Sequence, residues 1–411
     1  MRAPPSGASP RRRARRVLLR EALVGPSVVL EHATLEEHAV LVRDRRIEAV
    51  LPAAQVPSDV PRRELGEGWL TPGLVDIHTH GSAGGSFNEG QADSSRRALM
   101  GLLHGGVTTV LPSLATAPVD GLVAAIHTLQ ALSGADGLPR TPGLHLEGPY
   151  FSFAQRGAQD PAHLRQPDDG SVDRLLEFAP AIRMMSFAPE LPGAVELTER
   201  LVAADIIAAA GHSDGRDTDL EACRRAGLTH VIHVYSGQST TRRDGPWRQP
   251  GLLEATLASD NLTVEMIGDG KHLPPTLMRL AYRCLAGRLC LVSDSTPGAG
   301  MPNGHRYTLA GMEYVVEDGV GVTSDRTAFG GSTTLLSQMI PIAMSTLGLD
   351  VAQAVAMATA VPARAAHLDD VGRLAAGARA DFALFSPSMT LKAVAVDAQW
   401  TDLTSPTPGD E

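Results

Sequence analysis

Cysteines, long apolar runs and basic charge are all scarce in this 411-residue sequence, and each absence excludes a class of protein. The three cysteines, Cys223, Cys284 and Cys290, lack paired spacing, which predicts reduced thiols and not a disulfide framework. No apolar run is long enough to cross a bilayer, so we expect no membrane partner. The net charge of -10 argues against a nucleic-acid partner and allows an anionic small molecule only through a local basic pocket.

Aromatic residues are also few, at 4% of the chain, whereas apolar residues as a whole make up 43%. A large core can therefore be buried, but it must consist mainly of Leu, Val, Ile and Ala. The length is sufficient for one large catalytic domain together with a small companion domain.

The N-terminal segment is rich in arginine, with seven arginines and no acidic residue among the first twenty positions. The apolar stretch after Arg16 is interrupted at Arg20 and Glu21, so it lacks the core of a secretory signal peptide. We therefore expect residues 1–16 to form a disordered, solvated tail. The sparse, unpaired cysteines predict a cytoplasmic protein.

Short apolar runs alternate with amphipathic stretches between residues 70 and 296. Nearly continuous apolar character is typical of parallel strands that are covered on both faces. The stretches 119–133, 217–226 and 275–286 place apolar residues at helical spacing. Eight such alternations predict an α/β fold, the (β/α)8 TIM barrel. The predicted strands are 75–81, 107–113, 143–148, 182–190, 206–214, 230–237, 262–270 and 289–295.

Both ends of the chain have a different pattern, with alternating β-like segments and frequent turn signals. This pattern predicts a small β-sandwich domain formed from the two chain ends. Residues 306–328 form a further β-like segment, and 333–346 and 350–359 are predicted helices that complete the barrel. The expected divisions are 17–69 and 365–402 for the sandwich, 70–364 for the barrel hydrolase domain, and 403–411 for a C-terminal tail.

Polar side chains occur at the same end of nearly every predicted strand. In a barrel these ends converge on one mouth, where active sites are built. Any one of these residues can be an ordinary buried histidine or a capping acid. Burying the whole set together is costly unless the groups are paired or bind a metal. The set comprises His78, His80, Glu147, His212, His233, Asp269, His272 and Asp294.

The most specific local pattern is Asp-Ile-His-Thr-His, which contains His78 and His80. Two positions apart on a strand, their imidazoles point to the same side, into the barrel mouth. With Glu147, His212 and His233 on later strands, they offer ligands that suit Zn²⁺ or Fe²⁺. The sequence therefore predicts a divalent metal site.

A hydrolytic reaction at such a site also needs a group that carries protons. A divalent metal lowers the pKa of water toward neutrality and polarises a carbonyl. Asp294, in Leu-Val-Ser-Asp-Ser, can accept a proton from the attacking water and return it to the leaving amine. Its alternative role is to cap the turn that follows the strand. The combination predicts a metal-dependent hydrolase with Asp294 as the catalytic residue.

These residues lie in segments that resemble the N-acetylglucosamine-6-phosphate deacetylases of the amidohydrolase superfamily. The resemblance extends from about residue 17 to residue 400, and its specificity comes from the whole set of segments. The family's reaction implies that an acetylated amino-sugar phosphate is the substrate and that acetate is released. The matching segments are LTPGLVDIHTHG (70–81), GVTTVLPSLAT (106–116), GLHLEGPY (143–150), APE (188–190), GHSDG (211–215), DGKHLPP (269–275), LVSDS (291–295), GGS (330–332) and VPARAAHLDDVGRLAAGARADFAL (361–384).

The resemblance implies roles for the matching positions. Glu147, His212 and His233 would hold the main metal ion, whereas His78 and His80 match members that can carry a second ion. The centre would thus contain one or two ions of Zn or Fe.

For the substrate, the resemblance implies that His272 contacts the sugar and that Arg248, in Arg-Gln-Pro-Gly, holds the phosphate. Asp294 would be the general base and then the general acid. By family analogy the protein would be a homodimer.

The residues alone support part of this interpretation. Arg242, Arg243 and Arg248 form a basic cluster on the loop after a metal-ligand strand, which suits an anionic group. Equally, they can be solvated loop arginines. Gly331 can offer a backbone N–H to the substrate, or Ser332 can be the N-cap of a helix that begins at 333.

Three positions depart from the family pattern, and all lie around the expected substrate. The family's Asn-Ala pair after the sixth-strand histidine is replaced by Ser236-Gly237. The family's histidine near the reacting carbonyl is replaced by Gln159, which can donate a hydrogen bond but cannot carry positive charge. Phe329 follows Ala328 where a small residue is usual. A different acylated sugar or small amide is therefore an open alternative.

Two other classes of protein fit parts of the pattern. Many cyclic amidases carry a carboxylated lysine at the end of the fourth strand, but here that strand ends in Ala188-Pro189-Glu190. A nucleobase deaminase is a further possibility within the superfamily. A catalytically inactive binding barrel would be expected to lose metal ligands or Asp294, and this chain retains them.

Overall fold

The computed structural model of this protein describes residues 20–326 and 328–403. The predicted N-terminal tail at 1–16 lies outside the described residues, as does most of the predicted tail at 403–411. Among the described residues, no helix has the length and apolar character needed to span a membrane.

The N-terminal part of the chain contributes strands to two different sheets. These strands are β1 (Arg20–Val24), β2 (Ser27–Val29), β3 (Thr34–Leu35), β4 (His38–Arg43), β5 (Arg46–Pro52), β6 (Arg62–Glu64) and β7 (Trp69–Pro72). One sheet has the order β5-β4-β1-β6, and β7, β2 and β3 belong to the other.

The central part of the chain alternates strands and helices. In chain order it contains β8 (Leu74–Thr79), β9 (Gly81–Ser82), β10 (Gly85–Ser86), α1 (Ala92–His104), β11 (Val107–Ala115), α2 (Val119–Leu132), β12 (Leu144–Glu147), α3 (Ser171–Leu176), β13 (Ile182–Phe187), α4 (Ala194–Ala203), β14 (Ile207–Ala210), α5 (Asp217–Ala226), β15 (His230–Val231), β16 (Arg242–Asp244), β17 (Trp247–Gln249), α6 (Leu252–Leu257), β18 (Thr263–Ile267), α7 (Pro275–Leu285) and β19 (Leu289–Val292). Short 3-10 turns lie at Ala53–Gln55, Phe153–Gln155, Pro161–His163 and Ala179–Ala181.

Eight of these strands form one parallel sheet in the order β8-β11-β12-β13-β14-β15-β18-β19. Hydrogen bonds just beyond β19 bring the last strand back to the first. The Asp294 amide donates to the His78 carbonyl at 2.9 Å, and the His80 amide donates to the Ser295 carbonyl at 2.7 Å. The predicted barrel is therefore confirmed, and each of its strands overlaps one of the predicted segments.

The chain after the barrel strands forms an antiparallel sheet and then three helices. The sheet contains β20 (Arg306–Leu309), β21 (Met312–Glu317), β22 (Val320–Thr323) and β23 (Phe329–Ser332), and the helices are α8 (Leu336–Leu347), α9 (Val351–Met357) and α10 (Ala360–Ala365). Ser332 is not a helix N-cap, because its amide donates to the Asp294 carbonyl at 2.8 Å and it ends β23. Instead, Gln338 accepts a hydrogen bond from the Leu335 amide at the start of α8.

Three final strands complete the second sheet of the small domain. They are β24 (Phe382–Phe385), β25 (Leu391–Val396) and β26 (Gln399–Asp402), and the sheet order is β26-β25-β24-β7-β2-β3. Leu23 and Ile47 from one sheet belong to the same buried cluster as Leu70 and Phe382 from the other. Both chain ends thus contribute to one sandwich core, while the exact domain boundaries remain a prediction.

Candidate active site

Glu147, the last residue of β12, lies at the centre of the polar cluster. Its Oε1 atom lies 3.1 Å from Nε2 of both His212 and His233. The same oxygen lies 3.5 Å from Nε2 of His78, and Oε2 lies 3.3 Å from Nε2 of His80. The structure therefore brings together all five residues that were predicted as metal ligands from four separate barrel strands.

Asp294, which follows β19, adds a second carboxylate to this cluster. Its Oδ1 atom lies 3.3 Å from Nε2 of His80 and 3.8 Å from Nε2 of His78. In the part of the chain that the structure describes, two groups of three residues have ligand atoms within 4.8 Å of one another: His78 with Glu147 and His233, and His78 with His80 and Asp294. The arrangement can accommodate one ion or two.

The hydrogen bonds on the far side of the rings test whether these residues fit a metal. Nδ1 of His212 lies 2.9 Å from the Gln155 carbonyl, and Nδ1 of His80 lies 3.1 Å from the Ser113 carbonyl. A carbonyl can only accept, so each Nδ1 carries a hydrogen, and the Nε2 atom that faces Glu147 either carries a proton or offers its lone pair to a metal. Lone pairs facing a carboxylate are unfavourable unless a cation or a proton lies between them.

The surroundings of His78 also show that its imidazole fits a metal ion. Its ring is fully buried, and Nδ1 lies 2.7 Å from Oε2 of Glu265. Its Nε2 atom, which faces Glu147 and Asp294, is buried and has no hydrogen-bond partner among the described residues. Buried polar atoms are rarely left unsatisfied, so this orphaned nitrogen fits a role as metal ligand.

Both carboxylates of the cluster are held in the ionised form. Burial by itself raises the pKa of Glu147, but the contacts with His212, His233 and His78 outweigh it and lower that pKa well below its usual value. Burial likewise raises the pKa of Asp294, and contacts with the surrounding histidines, His80 first, lower it overall. The site thus concentrates negative charge where a divalent cation would be bound.

The backbone at these strand ends is unusual. His212, His233 and Asp294 have φ angles of 44°, 20° and 44°, in the left-handed region that residues with a Cβ seldom adopt. Such conformations occur most often at functional sites, where the surrounding structure compensates for the strain. Here they turn the side chains of residues that follow barrel strands into the barrel mouth.

A cavity of about 230 Å³ opens above the carboxylates and imidazoles. His78 is not among its lining residues and lies beneath it. The sequence-predicted site residues that line the cavity are His80, Glu147, Gln159, His212, His233, Ser236, Gly237, His272, Asp294 and Gly331.

His272 forms part of the cavity wall and is oriented by a neighbouring acid. Its Nδ1 atom lies 2.7 Å from Oδ2 of Asp269, and its ring meets the Phe329 ring edge-on at 5.2 Å. Burial lowers the pKa of His272, but the hydrogen bond and charge of Asp269 outweigh burial and raise the pKa overall. The imidazole is therefore suited to contact an anionic or hydroxyl-bearing group.

Arg243 and Arg248 lie away from the cavity. They face each other across the hairpin formed by β16 and β17, and both are exposed. Arg248 donates to the Pro246 carbonyl at 3.0 Å. Within one chain, the structure does not bring the predicted phosphate-binding arginines together with the metal-ligand cluster, and their role stays a prediction.

Sequence reasoning missed several residues of the site. Glu265, fully buried between His78 and His230, could have been found because it is an acidic residue inside the apolar run Leu-Thr-Val-Glu-Met-Ile. Tyr314 also lines the cavity, on strand β21. No sequence signal marks it, because only the tertiary fold brings the antiparallel sheet over the barrel mouth.

The barrel, with imidazoles and carboxylates at the carboxyl ends of its strands, defines the class of metal-dependent barrel hydrolases. Comparison with known proteins agrees. The model of the Amidohydrolase family matches residues 69–405, and that of the NagA composite domain matches residues 22–68. The chain belongs to the amidohydrolase family and, within it, to the N-acetylglucosamine-6-phosphate deacetylase family. It is therefore a hydrolase that acts on amide bonds, in a family that depends on metal.

Individual relatives are similar over most of their length. The N-acetylgalactosamine-6-phosphate deacetylase of Escherichia coli O157:H7 is 29% identical, with 90% of this chain and 97% of the relative covered. The N-acetylglucosamine-6-phosphate deacetylase of Vibrio furnissii is 31% identical, with 80% and 82% covered. A variant of the Mycobacterium smegmatis N-acetyl-D-glucosamine-6-phosphate deacetylase, solved with N-acetyl-D-glucosamine-6-phosphate, has a TM-score of 0.85 at 31% identity, with 93% and 99% covered.

Proposed function

We propose that this protein hydrolyses the acetamido group of N-acetylglucosamine 6-phosphate to glucosamine 6-phosphate and acetate. The observation that supports this most strongly is the convergence of Glu147, His212, His233 and Asp294 on one cavity, in a chain of the deacetylase family. In the reaction the carbonyl–nitrogen bond breaks, hydroxyl from water joins the acetyl carbon, and a proton joins the amine nitrogen.

Glu147, His212 and His233 would hold a divalent ion, Zn or Fe, and His78 and His80 would allow a second. Such an ion supplies Lewis-acid polarisation of the amide carbonyl and makes water acidic enough to attack near neutral pH. The chain's own contribution is to fix the imidazoles of His78, His80 and His212 through contacts of their Nδ1 atoms.

Asp294 would transfer the proton. Its carboxylate is ionised, lines the cavity and contacts His80, so it can accept a proton from water and then donate it to the leaving nitrogen. Gly331 lies directly beside it. A Cβ at Gly331 would come within 2.5 Å of the Asp294 carbonyl oxygen, so only glycine leaves this part of the wall open.

Substrate contacts would come from the remaining lining residues. His272 would contact the sugar, and Ser236, Gly237 and Gln159 would surround the acetamido group. Arg248, with Arg243, would provide positive charge for the phosphate.

A second candidate substrate is N-acetylgalactosamine 6-phosphate, which differs from the first only at the C4 hydroxyl. The E. coli relative that acts on this sugar is similar over 90% of this chain. The departures at Ser236 and Gly237 lie in the cavity wall, so the pocket differs there from the family pattern.

Acetate release by the purified protein tests both candidates. The two phosphorylated sugars and unphosphorylated N-acetylglucosamine would be compared with Zn²⁺ or Fe²⁺ added, and again with chelator. We expect metal-dependent release with strong preference for a phosphorylated sugar. Absence of release from metal-loaded protein on all three compounds would reject the proposal.

Two further parts of the proposal concern the location of the protein in the cell and its oligomeric state. We propose a cytoplasmic protein, in agreement with cysteines that are all unpaired in the structure. We propose a homodimer by family analogy, which light scattering coupled to size exclusion would test.

A further inference from the structure

Beneath the cavity, the barrel interior contains a layer of fully buried polar side chains. Bulky branched apolar residues usually fill this position in TIM barrels. Taking so many polar groups out of water is costly unless each has a partner, so the layer requires a physical explanation. Its members are Asp76, Ser113, His145, Ser186, His230 and Glu265, all with 0% exposure.

Glu265 has the most contacts of this layer with the metal-ligand residues. Its Oε2 atom lies 2.7 Å from Nδ1 of His78 on β8 and accepts a weaker hydrogen bond from the His233 amide at 3.3 Å. Its Oε1 atom lies 3.0 Å from Nε2 of His230. One carboxylate thus contacts two of the predicted ligand residues, one on β8 and one that follows β15.

The contact with Glu265 determines which nitrogen of His78 is available. An ionised carboxylate only accepts hydrogen bonds, so Nδ1 of His78 must donate, and it is Nε2 that is left to offer a lone pair to a metal. That lone pair is the one directed at Glu147 and Asp294. Without Glu265, the ring could carry its hydrogen on either nitrogen and could rotate about its side-chain bonds.

His230 stabilises the buried carboxylate of Glu265 through a hydrogen bond. Its Nε2 atom donates to Glu265, and its Nδ1 atom lies 2.7 Å from Oγ1 of Thr263, whose hydroxyl can donate to it. A neutral imidazole satisfies both contacts, so no additional buried charge is needed. An isolated buried carboxylate would instead be strongly destabilised.

We propose that Glu265, supported by His230, is a positioning residue that fixes His78 as a metal ligand and so determines how tightly the centre holds the ion bound by His78. The inference rests on the metal-dependent function proposed above. It assigns Glu265 no contact with substrate, and its effect passes through the imidazole of His78.

The test measures Zn²⁺ affinity by competition with a chromogenic chelator, and bound ions per chain by elemental analysis. Glu265→Leu removes both acceptors, and we expect it to weaken Zn²⁺ binding about 10- to 100-fold. Glu265→Gln keeps one acceptor oxygen, and we expect a smaller loss. The absorption spectrum of the Co²⁺-loaded variants should also differ from that of the parent, because the ligand geometry changes.

A matched control is Asp381→Asn, which alters another buried carboxylate that is paired with Arg140 far from the cluster. We expect its Zn²⁺ affinity to equal that of the parent. His230→Gln provides a second variant in case Glu265→Leu does not fold. It leaves Glu265 in place but replaces the rigid imidazole that contacts it with a flexible amide, and we expect a reduction in the same direction.

Measurements in a His78→Ala background distinguish an effect of Glu265 on the His78 imidazole from a general disruption of the fold. If Glu265 acts through His78, then Glu265→Gln has no further effect on Zn²⁺ affinity once the imidazole is absent. Unchanged affinity in folded Glu265 and His230 variants would overturn the proposal, as would an equal loss in the His78→Ala background. Because affinity is measured without substrate, a parent that binds Zn²⁺ but releases no acetate contradicts only the proposed function.

Discussion

Gln159 and Glu147 are joined by a hydrogen bond of 2.6 Å, from Nε2 of the amide to Oε2 of the carboxylate. The orientation of the amide is fixed independently, because its Oε1 atom accepts a hydrogen bond from the Thr116 amide at 2.9 Å. Gln159 therefore occupies one oxygen of Glu147 and leaves the other to His212 and His233. A residue expected beside the reacting carbonyl also holds a predicted metal ligand.

Substitution of Gln159 should reveal this second role. We expect Gln159→Ala to reduce kcat/KM about 10-fold or more, since a hydrogen bond to a charged group is worth ~1.5 kcal/mol or more. Gln159→Glu should be worse and should also reduce bound metal, because it places a second carboxylate against Glu147. Measuring kcat/KM and metal content in parallel tests whether Gln159 holds Glu147 in place. Full metal content in Gln159→Glu would argue against that role.

Asp294→Asn separates the proton carrier from a metal ligand. The amide has nearly the same shape but cannot accept a proton, so we expect kcat to fall about 100-fold or more. We expect the metal content to stay at the parental level. Loss of metal in step with kcat would indicate that Asp294 is a ligand first, and unchanged turnover would remove it from the mechanism.

Chelation should destabilise the folded protein. Without a cation, the Nε2 lone pairs of His80 and His212 face the Glu147 carboxylate. This repulsion is removed only if the rings take up protons. Metal that binds the folded state alone stabilises it by ~2.7 kcal/mol at a free concentration 100 times Kd. We expect Tm to fall in chelator and to recover when Zn²⁺ is restored, and a Tm independent of metal would count against this interpretation.

Gly237→Ala tests the departure from the family's Asn-Ala pair. A Cβ at this position would lie 2.7 Å from Nδ1 of His212 and 2.8 Å from the Gln155 carbonyl oxygen, so it would disturb their hydrogen bond. We expect weaker Zn²⁺ binding and lower kcat. Gly245→Ala is the matched control, since Gly245 has a similar φ of 55° but nothing within 4 Å of its added Cβ. Equal behaviour of the two variants would show that only backbone strain matters.

Arg248→Ala tests the phosphate assignment, which the geometry of one chain does not support by itself. If the guanidinium holds the phosphate, KM should rise far more for the phosphorylated sugar than for N-acetylglucosamine. Arg225→Ala, another exposed arginine, is a suitable control. Equal changes on both sugars would end the assignment.

The sequence was sufficient to predict the barrel and most of the cluster, because both depend on local patterns. Apolar runs that end in a polar residue, such as the one ending in Glu147, locate a strand and its functional end together. Glu265 is marked as an acid inside an apolar run, but its role was missed because the neighbouring sequence does not indicate that His78 is its partner in the barrel. The position of Phe329 beside His272 depends on how a separate antiparallel sheet packs, and periodicity carries no information about that packing.

The barrel is completed by contacts between its first and last strands, including a hydrogen bond from Ser293 to Asp76 across 217 residues of sequence. A chain made from its N-terminus carries His78, His80 and Glu147 long before Asp294 has been synthesised. Until the eighth strand docks, these early residues lack the carboxylate that is proposed to carry the proton. Catalytic competence therefore requires the last strand, and a chain truncated before it would hold predicted metal ligands without their proton carrier.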